Sequence, residues 1–246
     1  MKKNWRNFLD DVIEKINTLS GGIEILFFRG HSNCTWELLP SLFRQEILKQ
    51  KKINAVETAF YYDFVSNAGS LLGNLNKKSW EFLFLMQHYA IPTRLLDWSE
   101  NFVTALYFAL ENEPINEPEI WILKPYKLNS KTKWIGNAIY NPDLDFGSNY
   151  YETFIDGKTS VEIINPIAIY PLRVNQRIFN QKGFFTLHGK LKEPLNELFP
   201  DCVERIKIPM NAISDAKQFL KLSGVNRFSI YNDLESLSKL LKENII

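Results

Sequence analysis

The chain has 246 residues, 45% hydrophobic and 23% charged, which excludes a disordered or fibrous protein and leaves room for one domain with elaborated loops. Its 29 basic and 28 acidic side chains leave a net charge of +1, so no global field draws it onto nucleic acid or an anionic membrane. Cys34 and Cys202 stand in no paired spacing, so neither a disulfide framework nor a zinc site is indicated, which suits a reducing cytoplasm.

Asp10, Asp11 and Glu14 interrupt the amino-terminal segment where a signal peptide needs an apolar run, and no stretch approaches the roughly 20 residues of a membrane span. Trp5, Phe8, Leu9, Val12, Ile13, Ile16 and Leu19 recur at helical spacing before Gly21 and Gly22, so the chain opens on a helix. The β-prone run Ile23 to Phe28 then delivers Arg29-Gly30 to a strand end. Helices are expected over 40–50 and 55–72, and a third capped by Ser79 and running through Trp80, Leu83, Phe84 and Gln87. Pro92 bars its continuation, Arg94 to Trp98 is a short strand, and Asn101 starts a helix through Leu110.

A strand over Glu119 to Leu123 follows, then a long loop from about Pro125 to Gly157. Further strands are expected over 161–164, 167–170, 183–187, 202–208 and 228–231, with helices over 214–222 and 234–241. Without regular strand-helix alternation the pattern is α+β, a single domain over 1–246 that is helical to about 112 and strand-rich from about 113.

Three runs carry candidate chemistry. In Phe28-Arg29-Gly30-His31-Ser32 an arginine at a strand end, with a glycine that lets a ligand approach the backbone, suits a phosphate or pyrophosphate; the same pair also suits a buried carboxylate partner and a simple turn. In Gln87 to Trp98, alternation sets Arg94, Leu96 and Trp98 on one face and Leu95 and Asp97 on the other. That pattern is read either as an Arg94-to-carboxylate lock or as a polar cleft in which Asp97 and Trp98 meet a ligand, since an unpaired buried charge is costly. His88 is a helix-end cap or a general base. The third run, Asn175 to Gly189, sets Gln176, Arg177 and Gln181 before a glycine-aromatic strand with Phe185; its amides suit ribose hydroxyls or a base edge, and taken alone the run reads as an ordinary loop and edge strand.

Together these runs resemble the FRG-domain family, named for its Phe/Tyr-Arg-Gly motif. Phe28-Arg29-Gly30 fits the naming motif, Gln87-His88-Tyr89-x-Ile91-Pro92-Thr93-Arg94-Leu95-Leu96-Asp97-Trp98 with Ala105 to Ala109 fits the long signature, and Arg177-Ile178 with Gln181-x-Gly183-x-Phe185-Thr186 fits the later one; the resemblance covers about 23–230. The family occurs in bacteria and phages, sometimes joined to toxin or defence modules.

The order of elements is also similar to that of ADP-ribosyltransferases, which implies helices around a mixed, mostly antiparallel, split β-sheet and NAD as co-substrate. That resemblance implies catalytic roles for Arg29, Asp97 and Gln181 and dinucleotide contacts from Arg29, Gly30, His31, Thr93, Arg94, Trp98 and Phe185, with Trp98 or Phe185 stacking the nicotinamide. It also implies a nucleic-acid or protein acceptor and a neutralising antitoxin. Such transferases carry a glutamate on the third strand, where this chain has Gln181; Asp97 replaces it, a glutamate arrives from elsewhere, or the chain is not a transferase. The other readings are a non-catalytic binding module for a nucleotide, nucleic acid or protein, and a metal-independent ribonuclease-type toxin using His88, Arg94 and Asp97.

Overall fold

The computed structural model describes residues 3–21, 24–114, 116–159, 162–171 and 176–245. Helix α1 (Lys3–Ser20) is fixed by burying Trp5, Phe8 and Val12. It is followed by β1 (Phe27–His31), α2 (Ile53–Ala68), α3 (Trp80–His88), β2 (Leu95–Ser99), α4 (Phe102–Leu110) and β3 (Glu119–Leu123). Short helices α5 (Pro125–Ser130) and α6 (Pro142–Asp145) lead to β4 (Ile167–Ile169), α7 (Gln176–Asn180), β5 (Gly183–Leu187), α8 (Leu195–Leu198) and β6 (Val203–Lys207). Helices α9 (Ile213–Leu222), α10 (Arg227–Tyr231) and α11 (Leu234–Ile245) complete the α+β fold.

All strand pairings are antiparallel, in one open six-stranded sheet of order β4-β5-β2-β1-β3-β6, so the expected mixed, split sheet gives way to a continuous one among the described residues. The ladders differ greatly in length. β1 pairs with β3 through five residue pairs from Phe27↔Leu123 to His31↔Glu119, and β2 pairs with β5 through five from Leu95↔Leu187 to Ser99↔Gly183. Between β1 and β2 there is one pair, Phe28↔Ser99. The sheet therefore nearly parts at its centre, just where Arg29 and Asp97 follow on the two strands.

The face carrying Phe28, Ile120, Ile122 and Ile206 packs under α1, α4 and α9. On the other side of the parting, Leu95, Phe185, Leu187, Ile167 and Ile169 pack under α2, α3 and the segment Ile135 to Phe154. Phe27, Leu96, Trp98, Trp121 and Phe184 form a third cluster with Leu38, Leu128, Leu195 and Cys202. Two helical layers thus flank the weak junction.

Several expectations are corrected. The first strand begins at Phe27 rather than 23, so Arg29 and Gly30 lie inside it; Ile23 lies outside the described residues. Residues 40–50 form turns and a single 3-10 turn, Glu46–Lys49, because Pro40 and the backbone tie from Leu42 N–H to the Thr93 carbonyl hold them against β2's approach. The span 125–157 is not a plain loop: it holds α5, α6 and a π-helical turn, Tyr151–Ile155, held down by Phe146, Tyr150 and Phe154 packing on Trp80. Residues 162–164 are not a strand, and Val161 lies outside the described residues. Residues 227–231 are helical instead of extended, since Asn226 and Ser229 form a reciprocal capping box.

Candidate functional site

Where β1 and β2 part, a cavity of about 360 Å³ opens, lined by Arg29, Gly30, Asp97, Gln181, Gln87, Trp36 and Glu111 among others. Its volume falls within the roughly 300–1,000 Å³ of small-molecule sites. A small adjoining pocket of about 40 Å³ shares Gln87, Asp97, Trp98 and Gln181 and adds Phe84, His88 and Phe185.

Arg29 fills the gap that the missing ladder leaves. Its Nη1 donates to the backbone carbonyl of Asp97 at 2.8 Å and lies 3.8 Å from the Asp97 carboxylate, and its Nε donates to His31 Nε2 at 3.0 Å. Nη2 makes no hydrogen bond among the described residues, and 22% of the side chain stays exposed. Burial lowers its pKa, which Asp97 counters and Arg44 reinforces.

His31 is 2% exposed, and burial, ahead of the neighbouring charges, lowers its pKa, so it is neutral at pH 7. Since Nε2 accepts from Arg29, Nδ1 carries the proton, and it points at buried Glu119 Oε1, 3.8 Å away. Glu119 accepts from Trp121 Nε1 at 2.8 Å and lies 3.6 Å from Arg205. His31 thus stands behind Arg29 rather than in the cavity.

The Asp97 carboxylate is held by a second chain of contacts. The Thr93 hydroxyl donates to Gln87 Oε1, which turns the Gln87 amide so that Nε2 donates to Asp97 Oδ2 at 2.8 Å. Thr93 is 1% exposed and orients this amide from behind, while the Asp97 side chain is 56% exposed. Ser79 caps α3 by accepting from Phe82 N–H, and that helix carries Gln87 to the site.

Gly30 serves packing more than ligand approach. A Cβ there would lie 1.9 Å from the Ala105 carbonyl oxygen and 2.5 Å from the Ala109 nitrogen, so only glycine lets α4 lie this close on β1. Gln181 donates from Nε2 to the Ile230 carbonyl at 3.3 Å, and its own carbonyl accepts from Ser99 Oγ at 2.6 Å, which ties α10 to the end of β2.

Arg94 does not line the cavity, whereas Trp98 lines it and Phe185 lines the small adjoining pocket, both rings packed against protein. Arg94 is 1% exposed: Nε and Nη2 grip the Glu57 carboxylate, Nη1 donates to the His188 and Gly189 carbonyls, and the guanidinium lies 3.6 Å over the Phe154 ring. Tyr150 donates to the same carboxylate, which closes the buried lock. Trp98 is 3% exposed with its N–H on Thr186 Oγ1, and Phe185 stacks on Phe84 at 5.3 Å, so both rings have protein neighbours. Asn175 lies outside the described residues, as do the side chains of 176 and 177.

Gln87, Glu111 and Trp36 are among the lining residues that the sequence does not mark as site residues; for Gln87 the available signal is its place at the head of the long signature. Glu111, at the end of α4, is 16% exposed and accepts from Tyr231 with both oxygens, from Tyr107, and from Arg227. Trp36 is 49% exposed and touches His31 edge-on.

Residues 24–117 match the FRG domain family model, a span running from just before β1 to just before β3. It contains Arg29, Gln87, Thr93, Asp97 and Glu111; Gln181 and β5 lie beyond it. No curated protein and no solved structure matches the chain. Among the described residues no helix is long and apolar enough to cross a membrane.

Proposed function

With the FRG domain across residues 24–117 as premise, we propose that this chain is an ADP-ribosyltransferase-like enzyme that takes NAD as co-substrate and a nucleic-acid or protein acceptor. The observation that carries the reading is the convergence, at one parted strand junction, of a cationic donor and a fixed exposed carboxylate: Arg29 and Asp97 face the same cavity 3.8 Å apart. Cleaving the nicotinamide bond needs the pyrophosphate held and a developing oxocarbenium ion stabilised by negative charge. Arg29 is suited to the first and Asp97, oriented by Gln87, to the second. Glu111 is a glutamate reaching the cavity from a helix instead of the third strand.

The test is incubation with adenylate-labelled NAD and cell extract. Label on nucleic acid or protein with release of nicotinamide is expected, reduced on the order of 10²-fold in Asp97→Asn with NAD affinity kept. Absence of both NAD binding and nicotinamide release overturns it.

A second reading, a nucleotide-binding module without chemistry, is favoured by the occupancy of Glu111: both its oxygens accept from Tyr231. NAD bound and recovered intact would select it. The ribonuclease reading lacks its arginine in this cavity, since Arg94 is held by Glu57.

A further inference from the structure

Cavity aromatics differ sharply in what their faces can do. Phe28 and Trp98 are 6% and 3% exposed, each within a packed cluster, and Phe108 is partly buried beside Tyr107 and Tyr231. Trp36 alone among the described lining aromatics is exposed, at 49%, and its indole N–H makes no hydrogen bond among the described residues. A half-bare tryptophan at the rim of a polar cavity is apolar surface that the fold itself does not use.

Its position is fixed by local chemistry. Asn33 Oδ1 accepts from the Thr35 backbone N–H and hydroxyl, both at 2.9 Å, and from Asn116 at 3.2 Å, while the Trp36 backbone N–H closes the turn on the Asn33 backbone carbonyl. The indole then meets His31 edge-on, ring centres 6.0 Å apart, and His31 is the same residue that accepts from Arg29 Nε at 3.0 Å. One imidazole therefore holds a guanidinium on one side and an indole on the other, both opening on the same cavity.

We propose that Trp36 is the stacking platform for the planar ring of a nucleotide whose phosphate is taken by Arg29. A ring and an anion presented together define the ligand class as a nucleoside phosphate, because a bare phosphate leaves the indole wet and a bare base leaves Nη2 without a partner. The inference rests on reading this cavity as a nucleotide site and not on any transfer step.

Tryptophan fluorescence of the full chain and of Trp36→Phe and Trp36→Ala, titrated with AMP, NAD and ribose 5-phosphate, tests it. AMP and NAD are expected to quench a component absent from both variants. By calorimetry Trp36→Ala weakens AMP about 5- to 150-fold while Trp36→Phe retains most of the affinity, and ribose 5-phosphate binds the wild type with the weaker affinity of the alanine variant. Equal AMP affinity in wild type and Trp36→Ala, equal affinity for AMP and ribose 5-phosphate, or no binding of any of the three by the wild type overturns it. A wild type that binds AMP through Trp36 and leaves NAD intact sinks the transferase reading alone.

Discussion

Arg94 and Glu57 are each about 1% exposed, and a pair so placed is informative about specificity more than about strength. Taking two charges from water offsets most of their attraction, so the pair is best read through what happens when it is broken. Arg94→Met leaves the Glu57 carboxylate buried without its cation and is expected to cost about 3–5 kcal/mol. Adding Glu57→Leu removes the stranded charge but deprives the Tyr150 hydroxyl of its acceptor, so the double variant should recover most of the loss and keep a deficit of about 1–3 kcal/mol. Urea denaturation of the cycle decides this; additive losses would mean that the two residues act independently. Gly30 makes a steric argument of the same kind. Its missing Cβ would meet the backbone of α4, which has no side chain to swing aside, so Gly30→Ala should cost about 2–4 kcal/mol by the same measurement. An unchanged midpoint would show that α4 shifts freely.

At the scale of elements, the junction between β1 and β2 decides where a ligand can enter, and the two helices beside it are held by single side-chain caps. Ser79 accepts from Phe82 N–H at the start of α3, and Asn101 accepts from Val103 N–H at the start of α4. Ser79→Ala is expected to lower stability by about 1 kcal/mol, read as a shift in urea midpoint with no change in slope. Because α3 carries Gln87, loosened anchoring of Asp97 should accompany it, seen as faster amide exchange at 86–88; unchanged exchange would separate the cap from the site. The caps of α3 and α4 and the amphipathic periods of α1 and α9 are local, which is why these helices are legible in sequence. Residues 142–155 are not, because their order comes from Phe146, Tyr150 and Phe154 packing on Trp80, a contact between segments more than 60 positions apart. Phe228 to Tyr231 reads as β-prone, but the Asn226–Ser229 box overrides that propensity. In the site, Arg29 and Asp97 are legible as unusual charges at strand positions. The cavity between them is not, since a ladder of one residue pair leaves no mark in composition. Trp36 and Glu111 are hidden for the same reason: only the tertiary fold brings the turn after β1 and the end of α4 to the same opening.

The whole molecule encloses two histidines in a form that acid opposes. His188 is fully buried, and burial first and the Arg94 charge second pull its pKa down to about 3. His31 is shifted in the same direction, by burial above all. In the unfolded chain each takes up a proton near pH 6.5. Between about pH 3 and 6.5 the unfolded state therefore binds more protons than the native one, and stability rises with pH across that window. The contribution is fully present above 6.5 and is lost as the pH falls toward 3. For His188 alone the loss from pH 7 to pH 5 is about 2 kcal/mol, and His31 adds to it with the same sign. The urea midpoint of the wild type should fall between pH 7 and pH 5, and His188→Gln, whose amide can keep a contact with Thr186 Oγ1 but takes up no proton, should show a clearly shallower fall. Parallel pH profiles for the two proteins would mean that the buried imidazole is already protonated in the native state and that Arg94 tolerates a second cation beside it.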